Sequence, residues 1–166
     1  MNALITEKEV NSTTNVATGA LSDTSRYGFR VGPFGFLFPE NCPGEVVTAP
    51  VICPIPHTRA WMTGVISLRG NLIPVFDLHG LLFDVPASIN KPMVLILDQD
   101  KQALGFVLQD SPQWLRGLIE VPIARASIPD MIADQVSKAY RHQEMDWLAF
   151  SKTDFFTFLG ECSKSC

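Results

Sequence analysis

At 166 residues the chain is long enough for one compact domain with its own core. Hydrophobic residues make up 46% and charged residues only 18%, below the ~25% of an average soluble chain, so an apolar surface of the kind partners cover is expected. A formal net charge of -4, with no cluster of Lys or Arg to override it locally, argues against nucleic acid and anionic membrane surfaces as partners.

No apolar run reaches the roughly 20 residues of a membrane span, and Met1 to Val10 has neither the basic start nor the apolar stretch of a leader. A cytoplasmic location without direct membrane insertion is expected. Cys42, Cys53, Cys162 and Cys166 are too few and too irregularly spaced for a disulfide framework, so reduced thiols are expected.

Residues 1–25 are rich in Ser, Thr and Asn and have little to bury, which predicts a flexible N-terminal arm. Thr6 and Glu9 have capping-box spacing, but no amphipathic helix follows them. From Arg26 the chain reads as all-β. Tyr27, Phe29 and Val31 share one strand face, Gly32-Pro33 turns the chain, and Phe34, Phe36 and Phe38 alternate in the returning strand. Val65 to Leu68 and Leu72 to Phe76 form a second hairpin across Arg69, Gly70 and Asn71, where Gly70 or Asn71 supplies a positive φ and Arg69 is lifted to the rim.

Pro74 cannot donate a ladder hydrogen bond and predicts an edge strand or a bulge. Asp77 then caps a short helix through Phe83. Met93 to Leu97 is a continuous apolar run, the form of a strand buried on both faces between two packed layers. Strands follow at Ala103 to Leu108 and Trp114 to Glu120. A last hairpin joins Ala139 to Arg141 with Met145 to Phe150, and Thr153 or Asp154 caps a helix ending at Gly160. Hairpin followed by capped helix occurs twice, at Val65 to Phe83 and at Ala139 to Leu159, which suggests two similar barrel units. The expected organisation is an arm over 1–25, one domain over 26–160 and a C-terminal tail over 161–166.

No catalytic or metal-binding constellation emerges. Ser67 lacks the glycine two residues later that a nucleophile elbow requires, and His57, His79 and His142 are scattered. Cys162 and Cys166 have no two further ligands, and Asp98, Asp100 and Asp110 fall where turn chemistry suffices. No glycine-rich loop joins a strand to a helix with the lysine a phosphate site needs. No cofactor is expected. A rim arginine, a proline-bearing strand and a weakly charged surface suit protein contact instead.

The segment Trp61-Met62-Thr63-Gly64-Val65-Ile66-Ser67-Leu68-Arg69-Gly70-Asn71-Leu72-Ile73-Pro74-Val75-Phe76-Asp77-Leu78 resembles the signature of the CheW family of chemotaxis coupling proteins. Glu45-Val46-Val47 resembles the family's acidic-apolar strand, Ile55-Pro56-His57 its loop before the signature, and Ala103 to Leu108 the strand opening its second half. The resemblance covers about Arg26 to Leu159. It implies an all-β fold of two small SH3-like barrels packed on a shared hydrophobic layer, with short helices and no active site.

As partners the resemblance implies the regulatory domain of a CheA-like histidine kinase, which has this same fold, and the cytoplasmic tip of a methyl-accepting chemoreceptor. Carried over by motif, Arg69 matches a partner-contacting arginine, with Gly64, Gly70 and Asn71 shaping the turn that presents it. Glu45 and Val46 match positions beside the other contact face, and Pro43 joins them in the turn-rich stretch Pro39 to Gly44, where the sequence departs from the family. Further departures are Ser67 for the usual asparagine, His79 for an arginine and Gln109 for an aspartate. Such divergence suits an adaptor of a secondary array, for example one controlling type IV pili. The alternatives are a β-barrel that binds a small ligand or nucleic acid, which the acidic balance argues against, and a hydrolase using Ser67 or a thiol.

Overall fold

The computed structural model describes residues 25–123 and 128–164. The expected arm as far as residue 24, with its Thr6 and Glu9 pair, and Cys166 lie outside the described residues. The described chain folds into β1 (Arg26–Val31), β2 (Phe34–Leu37), β3 (Gly44–Thr48), β4 (Met62–Leu68), β5 (Asn71–Phe76), α1 (Leu78–Phe83), β6 (Met93–Leu97) and β7 (Leu104–Leu108). There follow β8 (Gln113–Leu115), β9 (Ile119–Val121), α2 (Asp130–Ala133), β10 (Val136–His142), β11 (Met145–Phe150) and α3 (Lys152–Lys164).

The strands form two sheets, ordered β8-β1-β2-β11-β10-β9 and β3-β6-β7-β5-β4. Both follow one plan. A hairpin, β1–β2 or β6–β7, lies with its second strand parallel to the second strand of another hairpin, β10–β11 or β4–β5. A helix, α3 or α1, follows that other hairpin, and an edge strand, β8 or β3, flanks the first. The repeat suggested by the two hairpin–helix units is therefore present in the topology.

Chain order differs between the two units. The second sheet is continuous from β3 to β7, whereas the first takes β1–β2 from the N-terminal end and β8 to β11 from the C-terminal end. We call them the continuous barrel and the split barrel. In the split barrel β8 and β9 stand at opposite edges yet only residues 116–118 join them, so the sheet must curl shut, with Gly117 at φ +70 turning the corner. The continuous barrel closes where Cys53 exchanges two backbone hydrogen bonds, of 2.8 and 2.9 Å, with Val65 of β4.

Strand period places alternate residues in different cores. On β6, Val94 and Ile96 face the interior of the continuous barrel, with Ile66, Ile73, Val75 and Val107. Leu95 and Leu97 face a second layer shared with Phe29, Val31, Phe36, Phe106, Leu148 and Phe155 from both barrels and α3. The expected strand buried on both faces is thus observed, and the layer it helps form joins the barrels. The split barrel is filled by Leu37, Leu115, Leu118, Tyr140 and Trp147. Its packing requires glycine: a Cβ at Gly35 would lie 2.2 Å from the Trp147 ring and one at Gly28 2.5 Å from it.

Several local expectations are corrected. Trp114 to Glu120 is two strands, because Gly117 breaks it and sends its halves to opposite sheet edges. The β4–β5 turn takes its positive φ from Arg69 (+50) and Gly70 (+81), while Asn71 opens β5. Pro74 does not lie at a sheet edge, since β5 sits between β7 and β4, although it is one residue from the point where the β4–β5 ladder shifts register between Met62 and Gly64. Its partner Val65 turns its own polar groups toward Cys53, so Pro74 faces β4 without needing to donate, and β7 pairs only from Val75 onward. The helix after β11 is capped by Ser151, whose Oγ accepts from the Asp154 N–H at 3.4 Å. It runs through Gly160 to Lys164 and so takes in the first residues of the expected tail.

Candidate functional site

The signature segment folds as β4, a two-residue turn, β5 and the start of α1. Asp77 caps α1 by accepting the Gly80 N–H at 3.1 Å, and its other oxygen accepts the Ala87 N–H at 2.8 Å, fixing the chain on both sides of the helix. Positive φ at both turn positions is the condition for a tight hairpin reversal, and it sets Arg69 at the tip with 71% of its side chain exposed.

β3 and β4 are the two edges of the continuous barrel, and the tip arginine crosses between them. Arg69 Nη1 and Nη2 donate to Glu45 Oε2 and Oε1 at 2.8 and 2.9 Å, a two-pronged ion pair over the barrel mouth. These hydrogen bonds, with the Glu45 charge, raise the guanidinium pKa above its already high ordinary value, so Arg69 is permanently cationic. The pair stands over a cleft of about 470 Å³ lined also by Pro43, Asn71, Asp98 and Asp100. Arg69, Glu45, Asn71 and Pro43 are thereby brought to one place.

Gly64 and Val46 are not part of that cluster. Gly64 sits near the far end of β4, at φ +145, where a Cβ would be 2.2 Å from the Cys53 carbonyl oxygen. It is a closure residue of the barrel and does not touch the turn it was expected to shape. Val46 neighbours Glu45 on β3 and so points to the opposite strand face, alongside Leu95. Glu45 and Val46 belong to two different surfaces.

The second surface runs along the seam between the barrels. Val46 is 40% exposed there, and Gly44 on the same face lies against the Phe38 ring. Phe38 is 5.8 Å, centroid to centroid, from Tyr27, which lies 4.6 Å from Trp114. Tyr27 and Trp114 are 49% and 48% exposed, so the face expected to bury Tyr27 with Phe29 and Val31 opens to solvent at its first residue. Val46 and Trp114 occupy the corresponding edge strands of the two barrels. Trp114 was legible only as part of one long strand, and the break at Gly117 was the signal that its position is special.

The departures have local roles. Gln109 Oε1 accepts the Gly32 N–H at 3.3 Å, tying the end of β7 to the first hairpin turn. His79 packs 4.9 Å from the Phe83 ring with Nδ1 2.6 Å from the Val85 carbonyl oxygen. Ser67 is an exposed strand residue opposite Leu72. Where the connector after β2 meets β6 and α3, Lys152 Nζ donates to Asp98 at 2.6 Å, and that bond holds the Asp98 carboxyl below the usual carboxylate range. Burial, with the Asp98 charge, pushes the nearby Cys42 thiol up and away from reactivity.

Comparison with known proteins is consistent with this architecture. The family profile described as a CheW-like domain matches residues 27–137. Protein PilI of Pseudomonas aeruginosa is 28% identical over 137 residues, covering 80% of this chain and 75% of that one. Protein FrzA of Myxococcus xanthus is 27% identical over 123 residues, covering 74% of this chain and 75% of its own. The crystal structure of scaffolding protein TtCheW from Thermoanaerobacter tengcongensis aligns with a TM-score of 0.59 at 18% identity, covering 78% of this chain and 84% of that chain, a likeness of fold.

Proposed function

The chain belongs to the CheW-like domain family, and from that membership we propose that it is a non-enzymatic adaptor coupling a methyl-accepting chemoreceptor to a CheA-type histidine kinase. Among the proteins it resembles, one is a scaffolding protein, TtCheW, and another a probable chemotaxis protein CheW of Rhizobium etli, 30% identical over 89 residues. The observation that carries the reading to this chain's own residues is the signature hairpin, which holds a permanently charged, outward arginine at the barrel mouth beside a separate apolar seam.

The two surfaces suit two partners. Over the mouth, Arg69 keeps N–H donors beyond the two that Glu45 takes, on the planar guanidinium of a side chain that is 71% exposed and flanked by Asn71 and Pro43, and we assign this rim to the kinase regulatory domain. Along the seam, Val46, Phe38, Tyr27 and Trp114 form a narrow strip with aromatic anchors, which fits the apolar stripe of an amphipathic segment, and we assign it to the receptor tip. Gly70 supports the first surface through the backbone of the turn, and Gly64 only through closure of the barrel.

The array we favour is one that controls type IV pili rather than flagella, a reading supported by the similarity to PilI over 80% of this chain. No helix among the described residues is long and apolar enough to cross a membrane, and we place the protein in the cytoplasm, recruited to receptor arrays. Titration with the cognate kinase regulatory domain and receptor tip tests the assignment. Arg69→Ala should weaken the kinase and spare the receptor, and Trp114→Ala should do the reverse. Wild-type binding of both partners by both variants would refute it.

A further inference from the structure

The split barrel is completed by a hairpin that reaches it from the other end of the chain. β1–β2 is held to the rest of that barrel by short ladders, three residue pairs to β8 and two to β11, against four within the hairpin itself. Its side chains do most of the anchoring. Phe29, Val31 and Phe36 enter the shared layer, Leu37 enters the barrel, and Gly28 and Gly35 seat Trp147. None of these contacts depends on which molecule supplies the hairpin.

The connector, residues 38–43, decides that. It leaves the split barrel, doubles back so that the Phe38 ring meets Gly44, and enters the continuous barrel at β3. The reversal is held by Arg26 Nη2 donating to the Phe38 carbonyl oxygen at 2.7 Å and by the Arg26–Glu40 ion pair at 3.9 Å. It also places Asn41 at φ +55 between Pro39 and Pro43. The left-handed region is disfavoured for residues other than glycine, least so for asparagine, and a connector held in a sharp reversal is the feature that favours exchange of an element between copies.

We propose that β1–β2 is an exchangeable element, and that two copies of this chain form a dimer in which each hairpin completes the split barrel of the other. The contacts that the fully buried side chains of β1 and β2 make are retained in that dimer, and the changes fall on the connector, where Phe38 and Cys42 leave their present packing as the reversal opens to an extended link. The Asp98–Lys152 bond joins the end of β6 to the start of α3 and involves no residue of the hairpin, so exchange leaves it in place. One function of such a dimer is to tie two adaptors together with no new interface.

The test uses the register pair Tyr27–Trp114, directly opposite on β1 and β8. The full chain is prepared with Tyr27→Cys and Trp114→Cys, with Cys42, Cys53, Cys162 and Cys166 replaced by serine. It is refolded from denaturant at low and at high concentration, separated by size exclusion, oxidised, and run on a non-reducing gel. Exchange predicts that the dimer fraction rises with refolding concentration and that its disulfide joins two chains, while the monomer's disulfide stays within one. A second variant inserts Gly-Gly-Ser-Gly between Asn41 and Cys42, which relieves the reversal and should lower the dimer fraction severalfold. The proposal is overturned if no dimer forms at any concentration, if dimers cross-link only within each chain, or if the insertion leaves the dimer fraction unchanged.

Discussion

Because β6 faces two cores, truncating one side chain on each face tests the architecture directly. Leu95 is fully buried in the layer between the barrels, and Val94, fully buried beside it, points into the continuous barrel. Leu95→Ala removes three carbons at ~0.8 kcal/mol each and leaves a cavity in a layer walled by strands of both barrels and by α3, so the cost is about 3–4 kcal/mol. Val94→Ala removes two carbons and should cost about 2–3 kcal/mol. With ~2–4 °C lost per kcal/mol at this chain length, the melting temperature should fall by roughly 10 °C and 7 °C. Urea unfolding followed by circular dichroism measures both. A strand packed on one face only would lose stability in one variant and shift by less than ~0.5 kcal/mol in the other, and that result would refute the two-core account.

Gly35→Ala should be more damaging than its single methyl suggests, since that methyl would lie 2.2 Å from an atom of the buried Trp147 ring; a melt and the near-ultraviolet tryptophan signal read the loss. Asp98, with its pKa lowered by Lys152, contributes stability that is present above its ordinary value of 3.8 and lost as pH falls toward the folded value. Asp98→Asn should therefore flatten the acid side of the stability curve below about pH 4, and an unchanged acid limb in unfolding titrations would deny the bond its role. Arg69→Ala should melt within ~2 °C of wild type, because exposed ion pairs contribute little, while its kinase affinity drops roughly thirtyfold by calorimetry. Arg69→Lys should recover only part of that affinity, a point charge being unable to reproduce the planar fork.

Much of the fold was legible because its signals are local. Gly32-Pro33, the Leu68-Arg69-Gly70-Asn71 turn and Asp77 each fix a reversal or a cap by their own chemistry. The apolar run from Met93 to Leu97 reads as doubly buried without any partner being known. What escaped depends on pairing across distance. That Arg69 meets Glu45 follows from β3 and β4 being the two edges of one curled sheet, and no spacing of 24 residues announces it. The two-strand nature of Trp114 to Glu120 was signalled by Gly117, but which edges its halves join is set by barrel closure. Gly160 was read as a helix stop because glycine often is one, yet Phe155 and Leu159 pack α3 into the shared layer and carry the helix past it.

The separation of the two surfaces is the centre of the functional account, and simultaneous binding measures it most directly. Sedimentation of this chain with the cognate kinase regulatory domain and a receptor-tip fragment should give one ternary complex larger than either pair, with neither partner displacing the other. If adding the receptor tip releases the kinase domain, the barrel mouth and the seam are one overlapping site and the adaptor mechanism proposed for this chain is contradicted.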